Sequence, residues 1–191
     1  MGIYTGEDLS EAPYLPGVYA LVSFNPRANK PRDTVIYVGM TNGRKTKSGN
    51  GYKYNGIRTR LKQHLVEHTG TAGNQKWPVQ IDVSQVDKIY FWLTDNLELG
   101  LAPTRNAFIF EEFVKFQEDY TPMYRDSKSG SLPEHEMLIV NNPSAAMMDL
   151  LDNKRNEITL PSRSNLVYRV MELEKKVSEI SIILSEIEKD V

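Results

Sequence analysis

Tyr19 and Tyr37 sit in two mirrored tripeptides, Gly17-Val18-Tyr19 and Tyr37-Val38-Gly39, and Arg60 and His64 come later, four residues apart. A carboxylate, Glu111, comes directly after the apolar run Ala107-Phe108-Ile109-Phe110. Phenol, guanidinium, imidazole and carboxylate together can move a proton, offset negative charge and hold a hard cation. A phenol with an ordinary pKa of about 10 is a poor base at neutral pH, so Tyr19 needs a cation or a metal-bound hydroxide beside it. Arg60 can supply that field. Taken singly, none of these residues compels such a reading. Aromatic tripeptides on strands commonly serve as core, an Arg/His pair commonly lies on a surface helix, and Glu111 or its neighbour Glu112 can be the solvated border of a core helix.

Such chemistry requires the side chains to be brought to one place, and the sequence between them predicts the elements that would do so. Residues 18–24 and 34–38 are rich in β-branched and aromatic types, with Asn25, Pro26, Asn29 and Pro31 between them, which predicts an antiparallel hairpin. Residues 40–56 form a Gly/Asn/Lys-rich loop. Ile57, Leu61 and Leu65 then recur every four residues, predicting a helix capped by Asn55. Arg60 and His64 would share one side of that helix, flanking the apolar stripe. Residues 86–94 predict a third, buried strand, and Pro103-Thr104 starts a second helix, mostly buried, that ends at Pro122. The expectation is an α+β fold, a small three-stranded antiparallel sheet flanked by helices.

The signals from Ser127 to Asn142 are weak, residues 145–151 predict an amphipathic helix, and Asn153, Asn156, Pro161 and Ser162 read as a linker. In the tail, Leu166, Val170, Leu173, Val177, Ile180, Leu184, Ile187 and Val191 alternate four and three apart. That is a heptad seam with Val170, Val177, Leu184 and Val191 at a and the other four at d, predicting a coiled coil that makes a homodimer or homotetramer. The organisation expected is a globular domain over 1–126, a connecting region of unassigned role over 127–161, and a coiled-coil helix over 162–191.

The ordered series, β-β-α-β-α with Tyr19, Tyr37, Arg60, His64 and Glu111 on successive elements, resembles the GIY-YIG nuclease family over roughly residues 15–125. The resemblance implies a metal-dependent DNA endonuclease, of restriction, defence or mobile-element type, that hydrolyses phosphodiester bonds. It implies Tyr19 and Tyr37 lining up to activate a water, Tyr19 as proton acceptor with His64 beside it, Arg60 offsetting charge on the phosphoryl group, and Glu111 holding Mg²⁺ or Mn²⁺. A noncatalytic nucleic-acid-binding or assembly module on the same scaffold is the alternative. Two departures stand out. A long basic loop lies between Tyr37 and Arg60, and the asparagine that many members carry after the second helix is missing from Pro122-Met123-Tyr124-Arg125-Asp126, leaving Asn141 or Asn142 as substitutes.

Charge distribution supports a nucleic-acid partner where the total does not. The net charge is -2, yet residues 34–66 hold seven basic side chains (Arg44, Lys45, Lys47, Lys53, Arg58, Arg60, Lys62) and no acid. From Glu111 to Val191 the balance reverses, with sixteen acids against ten bases. Phosphate would be drawn to the first segment, and Arg44, Lys45, Lys47, Lys53, Arg58 and Lys62 are the candidate DNA contacts. The absence of cysteine excludes disulfides and thiolate zinc sites. With neither a signal peptide nor a long apolar run, the expectation is a cytoplasmic protein with no membrane partner.

Overall fold

The computed structural model describes residues 4–26, 32–41, 56–67, 82–117 and 132–187. Its elements run β1 (Gly17–Asn25), β2 (Arg32–Thr41), α1 (Ile57–Leu65), β3 (Lys88–Leu93), α2 (Pro103–Gln117), α3 (Glu134–Asn141), α4 (Ala145–Asn153), β4 (Asn156–Thr159) and α5 (Arg163–Ile187), with a 3-10 turn at Val83–Gln85. The α+β class agrees with expectation. The strand count does not: the sheet has four antiparallel strands in the order β2-β1-β3-β4.

β1 lies between β2 and β3 and is buried over most of its length because both faces are covered. Side chains alternate across a strand, so Val18, Ala20 and Val22 point one way and Tyr19 and Leu21 the other. The first set packs with Val38, Tyr90 and Trp92 against Ile109, Phe110, Phe113 and Val114 of α2 and Met147 and Leu150 of α4. The second packs with Ile89 and Phe91 against the α1 stripe Ile57, Leu61 and Leu65, and against Tyr4, Leu9 and Ala12 of the N-terminal segment.

The stretch expected to be a linker supplies the fourth strand. β4 pairs Lys88↔Thr159 through Phe91↔Asn156 along the outer side of β3. Only Ile158 of its four residues is buried, so its sequence carries no alternation to read. The demand for it comes from β3, whose Ile89, Tyr90, Phe91 and Trp92 are all buried; an unpaired edge there would leave backbone N–H and C=O groups without partners. α3, in the region of weak signal, is anchored by a polar contact: Arg105 Nε and Nη2 on α2 donate to the carboxylate of buried Glu136.

The tail expected as a coiled coil is one continuous helix, α5, in the single chain. Its first turn is pinned to the body. Ser162 Oγ accepts from Asn165 N at 3.1 Å, Asn165 Nδ2 donates to the carbonyls of Asp87 and Leu160 at 2.8 Å each, and Tyr168 packs edge-on against Phe24. From Arg169 to Ile183 every residue is exposed. Among the described residues no helix is long and apolar enough to cross a membrane.

Candidate active site

The β1–β2 register decides where the two tyrosines go. Tyr19 lies opposite Gly39, and Tyr37 opposite Leu21, so both phenols project from one face as diagonal neighbours. Val22 pairs with Val35, which leaves Ile36 as the extra residue of a β-bulge just beyond Tyr37. The ring centroids of Tyr19 and Tyr37 are 6.1 Å apart. Gly39 makes the space for this: a Cβ there would stand 2.7 Å from Tyr19 Oη and 2.8 Å from Tyr37 Cε1. The second tripeptide therefore ends in glycine because two aromatic rings occupy the volume of its side chain.

α1 brings in the next two residues, and its starting point is fixed by backbone. Ile57 N donates to Leu15 O and Arg58 N to Pro13 O, both at 3.0 Å, so orphan donors of the first turn are met by the segment that leads into β1. The N-cap is Gly56, without a side-chain cap bond, and not the expected Asn55. A Cβ on Gly56 would come within 2.2 Å of Tyr14 C, so the close approach that replaces the side-chain cap also requires glycine. The helix is thereby tied to the start of the strand that carries Tyr19.

His64, on the buried side of α1, meets both phenols. Its Nε2 is 2.8 Å from Tyr19 Oη, and its ring lies 5.9 Å from that of Tyr19 and 5.3 Å from that of Tyr37. Tyr19 and His64 are 1% and 6% exposed. Burial, then the Arg60 guanidinium, lower His64 from 6.5 to about 4, so the imidazole is neutral at pH 7. Burial pushes Tyr19 well above the usual phenol range; Tyr37 adds to this, Arg60 opposes it and Glu111 reinforces it. Arg60, half-buried, donates from Nη1 to Gln63 Oε1 at 3.1 Å.

Glu111 is buried on α2, which lies against β2 and β1, and its charge reaches Tyr19. A residue that sequence reasoning passed over completes the group. Lys115 Nζ sits 3.0 Å from Glu111 Oε1 and 2.9 Å from Glu112 Oε1. Burial disfavours its charge, but Glu111 and Glu112 outweigh that and raise its pKa above the ordinary lysine value. The spacings of four and three on one helix were the available signal.

Thus Tyr19, Tyr37 and His64 meet directly, and Arg60 and Glu111 are linked to Tyr19 through their charges. The candidate phosphate contacts fare differently. Arg44, Lys45, Lys47 and Lys53 lie outside the described residues. Arg58 turns toward the N-terminal segment, with long contacts of 3.4 and 3.5 Å to the carbonyls of Ser10 and Gly6 and its guanidinium over the Tyr14 ring. Lys62, half-buried, runs beside Gly6. Neither substitute asparagine joins the tyrosines: Asn141 is exposed at the end of α3, and Asn142 Nδ2 caps the same helix through Leu138 O at 3.2 Å. His135 is exposed and lies 4.0 Å from Glu136.

Among the described residues no group of three or more His, Cys, Asp or Glu gathers to hold a metal. A hard cation such as Mg²⁺ or Mn²⁺ does not need one, since it takes one or two carboxylates and completes its shell with water and substrate phosphate oxygens. Glu111 would offer one such oxygen, in competition with the Lys115 ammonium group 3.0 Å away. Compared with models of known families, with curated proteins and with solved structures, the chain matches none.

Proposed function

We propose that this chain is a metal-dependent DNA endonuclease of the GIY-YIG kind, hydrolysing phosphodiester bonds at the site formed by Tyr19, Tyr37, Arg60, His64 and Glu111. One observation carries the reading. A buried phenol is hydrogen-bonded to a buried, neutral imidazole, with a guanidinium from the same helix as the imidazole and a carboxylate from a further helix acting on the same phenol. A core needs none of these polar groups, and burying them together is costly unless they are used.

The resting pair does not favour charge separation, because burial opposes both a phenolate at Tyr19 and an imidazolium at His64. A concerted hand-over avoids a free phenolate. With Nε2 unprotonated, Tyr19 donates its proton to His64 as its oxygen takes one from the attacking water. The positive charge then forms on His64 while negative charge grows on the phosphoryl group, and Arg60 faces that group. A divalent cation held by Glu111 would supply stabilisation of the leaving oxygen. The substrate is DNA on the strength of the family resemblance, and the acid-free basic segment from Thr34 to Val66 supports a polyanionic partner.

The test is incubation of the purified full chain with supercoiled plasmid and Mg²⁺ or Mn²⁺, with sequencing of the ends. Nicking or linearisation is expected. Arg60→Ala should slow it about 10²–10³-fold and Tyr19→Phe about 10²–10⁴-fold, with thermal unfolding little changed. Glu111→Ala should abolish it, and Glu112→Ala should be milder. DNA binding without cleavage under either metal would favour the noncatalytic module instead.

A further inference from the structure

α5 leaves the globular body after Tyr168, and its residues from Arg169 to Ile183 are exposed. Its exposed part from Arg169 to Ile183 extends about 21 Å at the ordinary helical rise. Along the helix Leu166, Val170, Leu173, Val177 and Ile180 are 55%, 53%, 60%, 62% and 56% exposed. A solvated helix of this length gains little stability from propensity alone and ordinarily depends on packing of an apolar face. Among the described residues none provides that packing, since Val170, Leu173, Val177 and Ile180 are all more than half exposed.

We propose that the stripe is covered by α5 of a second copy of this chain, aligned parallel and in register. The spacing alternates four and three, which keeps a seam facing one partner through a left-handed supercoil rather than tracking a globular surface. Valines at the a positions 170 and 177 with leucines at the d positions 166 and 173 favour two strands. The flanking charges select the direction. Arg169 is at g and Glu174 at the next e, so parallel in-register copies bring each Arg169 to the partner's Glu174, twice by symmetry. Antiparallel pairing sets g against g and e against e, which aligns the basic Arg169 and Lys176 with one another and leaves Glu174 without a cation. The visible intrahelical ion pair, Lys175 with Glu179 at 4.0 Å, occupies the f and c positions and leaves the seam free of it.

The sequence continues the same spacing through Leu184 and Ile187, giving a seam of three heptads and about 32 Å. Parallel pairing also places both globular bodies at the same end of the assembly, because each is fixed to the first turn of its own helix through Asn165. The two tyrosine-centred sites would then be carried side by side, as cutting two strands of one duplex requires.

The chain has no cysteine, so an introduced one reports on its own position. In light scattering at micromolar concentration the full chain should have twice the monomer mass, and Leu173→Asn with Val177→Asn should return it to monomer with unfolding of the globular body unchanged. Leu173→Cys, at d, should form a disulfide-linked dimer on mild oxidation, whereas Lys175→Cys, at f, should not. Arg169→Glu should weaken the dimer about fivefold or more, and Glu174→Arg in the same chain should restore it. A monomer or a tetramer by mass, linking at 175 as readily as at 173, or no restoration by the double exchange would each overturn the proposal. None of these readouts depends on cleavage, so the dimer and the nuclease reading stand or fall separately.

Discussion

His64→Gln tests the electrostatics on which the proton relay depends. In the folded chain burial and the Arg60 guanidinium hold His64 at about 4, against 6.5 for an ordinary imidazole. As pH falls, the unfolded chain therefore takes up this proton first. Stability from the neutral imidazole is fully present above the unfolded value of 6.5 and is lost as pH falls through the window down to about 4. The whole window is worth about 3 kcal/mol, each tenfold difference in proton affinity contributing about 1.4 kcal/mol. Glutamine at this position still offers Tyr19 a polar partner and cannot titrate. Denaturant unfolding of both proteins at about pH 7 and about pH 4.5 isolates the contribution, because the carboxylates that also protonate are common to both. Wild type should lose about 2 kcal/mol more than the variant over that interval. The His64 ring signals in NMR should titrate near the lower limit of the window. Equal losses, or a midpoint near 6.5, would show that His64 is not a buried neutral partner of Tyr19 and would remove the basis of the relay.

Gly39→Ala should cost about 1–3 kcal/mol in thermal or denaturant unfolding, because its methyl group must displace two packed phenol rings, and should lower cleavage along with stability. Lys115→Met removes the ammonium group 3.0 Å from Glu111 Oε1, so Mn²⁺ binding measured by calorimetry should tighten about tenfold; unchanged affinity would mean that the lysine does not compete for that oxygen. Changing Arg44, Lys45, Lys47 and Lys53 together to Ser should flatten the dependence of log K for DNA on log salt by up to about 3–4, and an unchanged slope would put the DNA elsewhere.

How much of the fold is legible in the sequence depends on how local each signal is. β1 and β2 declare themselves by runs of Val, Tyr, Ile and Phe, and α1 by the four-residue recurrence of Ile57, Leu61 and Leu65, since each pattern is written within one element. β4 is invisible because Asn156, Glu157 and Thr159 are exposed and only the needs of β3, far earlier in the chain, require a strand there. Tyr4, Leu9 and Ala12 enter the core without any periodicity. α3 joins the body through buried Val140 and the Arg105–Glu136 ion pair, and neither sets up an apolar periodicity that could be read in the sequence. At the site, residue identities and order are legible, but the hydrogen bond between Tyr19 and His64 depends on register, on the bulge at Ile36 and on the docking of α1 at Leu15. None of these is a property of either residue. Gly56 stands at the N-cap in place of the expected residue for a related reason: carbonyls of Pro13 and Leu15 accept from the first-turn N–H groups, and such contacts leave no mark in the helix's own sequence.

The late position of β4 in the chain bears on how the protein is made. On the ribosome, Tyr19, Tyr37, Arg60, His64 and Glu111 are all polymerised before Met147, Leu150 and Ile158, on which the sheet depends for cover and for its outer strand. Until Leu160 has emerged, the nascent chain holds all five candidate side chains but lacks the partner of β3 and part of the packing on the α2 face. Domains generally fold as units once their last contributing element is available, and incomplete ones expose apolar surface and strand edges. Ordering of the candidate site is therefore tied to the emergence of residues 147–160. A transcript ending between Gln117 and Asn156 would encode all five residues and yield a product for chaperones and proteases.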